Sequence, residues 1–140
     1  MWIIYALVSA FFASLVAIFG KIGLKDIDST LATTIRSVVM ALFLLLVSFS
    51  LKKFNGFSSD FFGSKEFLFI VFSGVAGALS WLFYFFALKN GDATTVSAID
   101  RLSIVFVAIL AGIFLAEGFT VYKIVGVAMI AVGAFLTILK

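Results

Sequence analysis

Two ionisable side chains of opposite sign, Arg36 and Asp100, stand inside long apolar stretches of the sequence. A charged group at the middle of a membrane helix costs about 2.5–3.5 kcal/mol, so such groups are candidates for function. Either side chain could contact a substrate, and Asp100 could carry a proton, although no second buried acid supports proton coupling. Arg101, beside Asp100, is expected to extend its guanidinium to the lipid headgroups.

Arg36 and Asp100 are expected at the same depth. Arg36 lies six residues into its predicted helix and Asp100 lies seven residues into another, and both helices start from the same side of the membrane. At 1.5 Å per residue, both side chains lie roughly 9–11 Å from that end. Two interpretations remain open: an ion pair that holds the two helices together, or a polar cavity that both residues line.

Three further residues could contribute to such a cavity. Lys21 ends the first apolar stretch on the same side, where it could equally be a lysine that reaches the headgroups. In the third stretch, Gly74, Gly77, Trp81 and Tyr84 recur at helical spacing and share a face. Trp81 and Tyr84 could offer an indole N–H and a phenol O–H to a cavity, or this face could serve helix packing alone.

The composition identifies the class of protein that must position these residues. The chain has 140 residues, is 64% hydrophobic and 12% charged, and its mean hydropathy is +1.30. Soluble domains average about 45–50% apolar and about 25% charged residues, so this chain is an integral membrane protein. It contains no Cys and no His, which excludes disulfides, thiol catalysis and metal sites with those ligands. We therefore expect no enzyme, no cofactor and no metal, and the charge pattern does not support nucleic-acid binding.

Five apolar stretches are long enough to cross a bilayer, for which a helix needs about 20 residues. The predicted spans are Trp2–Ile22, Thr30–Leu51, Lys65–Leu88, Ala93–Ala116 and Thr120–Leu139. Lipid offers the backbone no hydrogen-bond partners and the stretches show no alternating polarity, so the spans must be helices. The prediction is an all-α membrane protein in which residues 1–140 form a single domain.

The connections between spans are short, so consecutive helices are antiparallel neighbours. Asp28 or Ser29 is expected to cap the second helix. Gly91 is expected to end the third helix and Asp92 to cap the fourth, which Gly118 then ends. The chain has no Pro, so nothing in the sequence forces a proline kink.

The distribution of basic residues leaves the orientation in the membrane undetermined. Four lysines lie on each side: Lys52, Lys53, Lys65 and Lys123 against Lys21, Lys25, Lys89 and Lys140. Counting Arg36 and Arg101 with the second side makes the ratio four to six. Such a weak bias predicts that the chain can insert in both directions. Many transporters consist of two inverted repeats with a substrate site between them, and five helices make only one repeat. An antiparallel homodimer would supply the second, whereas a single orientation with a parallel dimer or another partner is the alternative.

Several motifs resemble the EamA domain of the drug/metabolite transporter superfamily. They are "FGKIGL" at the end of span one, "WLFYFFALKNGDA" in span three, "LAEG" at the end of span four and "VGVAMIAVGAFL" in span five. Family members commonly have ten spans in two opposed domains, and this chain resembles the form with one domain of five spans. It departs from related sequences at Ala98, where Pro is common, so the resemblance does not imply a kinked fourth helix here.

The last span also resembles that of the small multidrug resistance proteins, in which glycines seven residues apart pack two protomers together. Gly126 and Gly133 have this spacing, and small residues let helix backbones approach closely. Packing within one protomer is the alternative. The first span has no acidic residue, so cation–proton exchange is not carried over from that family.

The family resemblance implies a transporter of metabolites or drugs, which we expect in the cell (plasma or inner) membrane. Its partners would be the lipid bilayer, a second copy of the chain and a small molecule whose identity the sequence does not reveal. The expected mechanism is export by alternating access between two inverted units. The alternatives are a membrane scaffold or accessory subunit that carries no substrate, and a subunit of a lipid-carrier flippase.

Overall fold

The described residues of the computed structural model, 1–55 and 59–139, form helices and contain no strand. The helices are α1 (Trp2–Gly23), α2 (Ser29–Ser50), a 3₁₀ helix (Ser59–Gly63), α3 (Lys65–Asn90), α4 (Ala93–Asp100), α5 (Ser103–Phe114) and α6 (Val121–Leu136). The predicted all-α membrane fold is confirmed. Its helices close their backbone hydrogen bonds internally, as a lipid environment requires.

Four of the predicted spans are long and apolar enough to cross a membrane: α1, α2, α3 and the stretch Ala93–Phe114. The predicted fifth span is shorter than expected, because α6 has 16 residues. At 1.5 Å per residue α6 is about 24 Å long, against a hydrocarbon core of about 30 Å. The side chain of Thr120 begins this helix by accepting a hydrogen bond from the N–H of Lys123.

The fourth span contains an irregular turn that the sequence did not predict. The N–H of Leu102 donates to the carbonyl of Ile99 at 2.9 Å, and the N–H of Ile104 donates to the carbonyl of Arg101 at 3.1 Å. Hydrogen bonds to the third residue back are those of a 3₁₀ turn, which often marks a hinge when it interrupts an α-helix. The interruption directly follows Asp100 and does not depend on proline.

The N-terminal end of α2 follows the sequence prediction. The carboxylate of Asp28 accepts hydrogen bonds from the N–H groups of Thr30 at 2.9 Å and Leu31 at 3.1 Å. The hydrogen bonds from Leu31 and Thr30 hold the pKa of Asp28 below its usual value. At the start of α4, Asp92 accepts from the hydroxyl of Thr95 at 3.1 Å and makes no side-chain bond to the backbone.

Two helices end on residues with left-handed backbone conformation that are not glycines. Lys52 follows α2 with φ of 53°, and Ala116 follows α5 with φ of 51°. The N–H of Lys53 donates to the carbonyl of Ser48 at 2.9 Å, which closes a Schellman motif around Lys52. The predicted end of the fourth helix at Gly118 is wrong, because α5 stops at Phe114 and the left-handed residue is Ala116.

Replacing Lys52 with glycine is expected to raise the free energy of unfolding by up to about 1 kcal/mol, because glycine adopts positive φ without a steric penalty. Thermal unfolding of the purified protein in detergent measures this gain. Lys53→Gly is the matched control, since the positive φ of the motif belongs to Lys52 alone. Equal effects at both positions would contradict the assignment.

The helices are grouped into two units. The central unit is Ile22–Lys89, and the terminal unit combines Met1–Lys21 with Asn90–Lys140. In the central unit the buried side chains are Leu24, Ser29, Thr33, Phe85 and Leu88. In the terminal unit α6 packs against α4 and α5. The buried side chains of this unit are Ala17, Val96 and Ala134. Most other large apolar side chains are exposed, as expected of surfaces that face lipid.

Candidate functional site

One face of α2 carries polar side chains at helical spacing. Ser29, Thr33 and Arg36 recur at intervals of four and three residues, and the first two are buried. The Thr33 hydroxyl donates to the carbonyl of Ser29 at 2.8 Å, and the Ser37 hydroxyl donates to the carbonyl of Thr33 at 2.8 Å. These hydroxyl protons are therefore bound within the helix, as is common for Ser and Thr in apolar surroundings.

Arg36 lies against aromatic rings of α3. Its guanidinium carbon is 3.7 Å from the centre of the Trp81 ring and 5.7 Å from the centre of the Phe85 ring. Attraction between a cation and a ring face contributes about 2 kcal/mol or more when the pair is desolvated. Arg36 is half-buried, so Trp81 stabilises a charge that the surrounding apolar helices would otherwise disfavour.

The Trp81 ring, against which Arg36 lies, makes two further aromatic contacts. Trp81 meets Tyr84 edge to face at 5.4 Å and Phe85 at 6.2 Å. Trp81 and Tyr84 thus lie side by side on the face that their spacing predicted. Sequence reasoning missed Phe85, which is 4% exposed and follows Trp81 by four residues. That spacing was the signal, hidden among the 19 phenylalanines of the chain.

Asp100 lies in the terminal unit, at the last residue of α4 and beside the 3₁₀ turn. Its side chain is exposed and has no salt-bridge partner among the described residues of that unit. Arg101, the next residue, is also exposed. Arg36 and Asp100 belong to different units, and their predicted pairing stays a prediction.

Lys21 contacts the turn between α3 and α4. Its ammonium group donates to the carbonyl of Gly91 at 2.9 Å. In the central unit, Lys89 makes a similar bond to the carbonyl of Ile27 at 2.9 Å. Each lysine thus donates a hydrogen bond to a backbone carbonyl in a segment that connects two helices. For Lys21, this contact ties the end of α1 to the turn before α4. Its role in lining a cavity stays a prediction.

An apolar groove of about 670 Å³ lies between α5 and α6 in the terminal unit. Glu117 and Lys123, whose charged atoms are 3.7 Å apart, are among its lining residues, as is Gly126. A methyl group added at Gly126 or Gly133 would meet no atom within 4 Å. The packing of this chain therefore does not explain why these two positions are glycine.

Comparison with known proteins identifies the family. The sequence profile of the EamA-like transporter family matches residues 1–139. A protein of Sinorhizobium sp named "Uncharacterized transporter in cobO 3'region" is 42% identical over 135 residues, which cover 96% of this chain and 94% of that protein. No solved structure matches the chain. With a match along nearly its whole length, this multi-pass membrane protein belongs to the EamA-like transporter family.

Proposed function

We propose that this chain, acting as a single EamA-like domain of residues 1–140, exports a small metabolite or drug across the cell membrane. The observation that carries the proposal is the half-buried Arg36 stacked on Trp81 inside a predicted span. An ionisable group kept at membrane depth marks a substrate pathway more often than a surface feature. Membership of a transporter family supports the same conclusion.

The interrupted fourth span supports alternating access. Transporter sites commonly lie where a membrane helix is discontinuous, because irregular backbone at that depth is tolerated where it lines a cavity. Here the 3₁₀ turn at Arg101 and Leu102 directly follows Asp100. We infer that Asp100 moves with this turn and contributes to the substrate pathway.

The working form in this proposal is an antiparallel homodimer. The near-equal numbers of lysines on the two sides support insertion in both directions. The open faces at Gly126 and Gly133, beside the apolar groove that includes Gly126, would accept a helix of the second copy. Two copies in opposite orientations would form the inverted repeat on which alternating access depends.

The transport function is tested with purified protein in proteoliposomes. A thermal-shift screen of metabolites and drugs selects the ligand, and its flux is then compared between the parent and Asp100→Asn. We expect flux to fall by about tenfold or more, equivalent to a barrier about 1.4 kcal/mol higher, at an unchanged thermal midpoint. The matched control is Asp26→Asn, an exposed acid in the loop before α2.

Unchanged flux in Asp100→Asn would remove Asp100 from the transport pathway. A folded parent protein that moves no compound in the panel would contradict the transporter assignment and favour the alternative of an accessory subunit.

The dual orientation is tested separately at a single introduced cysteine, since the chain has none of its own. Asn55→Cys places a thiol on the exposed loop after α2. In intact cells, a membrane-impermeant maleimide is expected to label about half of the molecules, and lysis exposes the rest to a second label. Labelling from one side only would exclude the antiparallel dimer and leave the transport test unaffected.

A further inference from the structure

We propose that the ligand of the Arg36 site carries a carboxylate or phosphate group, which the guanidinium binds while Trp81 contacts the apolar part of the molecule. This inference rests on the proposed transport function and names the chemical class of its substrate. It follows from two donors, the Arg36 guanidinium and the Trp81 indole N–H, which have no acceptor among the described residues of the central unit.

Within the central unit, no described residue accepts a hydrogen bond from the Arg36 guanidinium or forms a salt bridge with it. The Trp81 indole N–H likewise has no acceptor among the described residues of that unit. The neighbouring hydroxyls of Thr33 and Ser37 donate their protons to backbone carbonyls of α2, so the donors left for a ligand are those of Arg36 and Trp81. A ligand of this site must therefore bring the acceptors, and anionic oxygens are the strongest acceptors for a guanidinium.

The stacking of Arg36 on Trp81 also determines the direction of approach. With its carbon 3.7 Å from the ring centre, the guanidinium is covered by the indole on one side. Its N–H groups point outward in the plane of the group, where they match the two oxygens of a carboxylate or phosphate. The contact with Trp81 reduces the freedom of the arginine side chain, so less entropy is lost when an anion binds.

The face of α3 next to Trp81 has room for the rest of the ligand. Gly77 and Gly74 lie one and two turns before Trp81, and a methyl group added at either would meet no atom within 4 Å. Two helical turns provide about 10 Å of open surface beside the indole ring. An organic anion with an apolar or aromatic body fits this surface, whereas a simple cation would be repelled by Arg36.

The tryptophan content of the chain provides a direct assay. The chain has two tryptophans, so Trp2→Phe leaves Trp81, next to the guanidinium, as the sole tryptophan. In nanodiscs of phosphatidylcholine, benzoate and phenylphosphate are expected to change Trp81 emission saturably, and phenyltrimethylammonium is not. Arg36→Gln is expected to weaken binding by about tenfold or more, and Arg36→Lys by less, because lysine keeps the charge but loses the planar fork.

A lipid phosphate is the second possible source of the same chemistry. If the site binds an anionic headgroup, Trp81 emission changes when phosphatidylglycerol is added to the nanodiscs and benzoate then has no further effect. If the site binds a soluble anion, the benzoate titration is the same in both lipid mixtures. Either result supports recognition of anionic oxygens by Arg36 and identifies their source.

The proposal is overturned if neither benzoate, phenylphosphate nor phosphatidylglycerol changes the emission, or if the Arg36→Gln protein binds them equally well. Should Arg36→Gln unfold, two measurements still test whether Arg36 binds anions: the titration of Arg36→Lys, and the comparison of anion with cation binding by the parent protein. Flux of cations or neutral compounds without anion binding would overturn this inference and leave the transporter function standing.

Discussion

Replacing Trp81 with leucine is expected to lower the free energy of unfolding by about 2–4 kcal/mol and to impair transport. The loss combines about 1 kcal/mol for the contact between the half-buried guanidinium and the ring with about 0.5–1.5 kcal/mol for each of two ring pairs. Without the indole, Arg36 remains half-buried with no other partner of comparable strength among the described residues of the central unit. Chemical denaturation in detergent, followed by far-UV circular dichroism, measures the change.

Two variants separate the ring contact from side-chain volume. Trp81→Phe keeps an aromatic face and is expected to lose roughly half as much stability as Trp81→Leu, because phenylalanine attracts cations more weakly than tryptophan. Trp2→Leu removes a tryptophan that is 77% exposed and is expected to be neutral. A double-mutant cycle with Arg36→Gln isolates the pairwise contribution, and additive losses would show that Arg36 and Trp81 do not interact.

Replacing Leu88 with alanine is expected to cost about 2–3 kcal/mol, because Leu88 is completely buried and the substitution leaves a void. The value lies at the low end for core leucines. Lipid tails are as apolar as leucine, so the loss comes mainly from packing contacts rather than from transfer into water. The thermal midpoint and the denaturation curve of the purified protein report this loss.

Leu79→Ala is the matched control for this substitution. It makes the same chemical change in the same helix at a side chain that is 51% exposed, and it is expected to alter stability by less than about 0.5 kcal/mol. Similar losses at the two positions would show that α3 is not held at Leu88 by packing within the chain.

Much of the fold could be predicted from the sequence, whereas the partner of Arg36 could not. Asp28 was recognised as a helix cap because the side-chain chemistry of a cap is local. For Arg36, sequence reasoning considered an opposite charge at the same depth, which stays a prediction, and it did not foresee the ring faces of α3 that the structure shows. An arginine can be stabilised by either, and a chain with 19 phenylalanines offers many rings among which the sequence cannot choose.

The backbone irregularities were beyond prediction for a similar reason. Proline and glycine are the usual signals for breaks and helix ends, but the fourth span is interrupted at Arg101 and Leu102 without proline. The helix ends at Lys52 and Ala116 adopt positive φ without glycine. Because neither proline nor glycine stands at these positions, the sequence does not show where the backbone departs from the regular α-helix.

The sequence by itself determined that this is an all-α membrane protein, because lipid leaves a long apolar chain no other way to satisfy its backbone. Its motifs also determined the family, and its hydropathy placed the four long apolar helical stretches to within a few residues. Only the tertiary structure decided that Arg36 meets Trp81, and that the fourth span has a 3₁₀ turn beside Asp100. These features depend on how each helix is rotated about its axis, and helices that are apolar on every side carry too weak a periodic signal to specify that rotation.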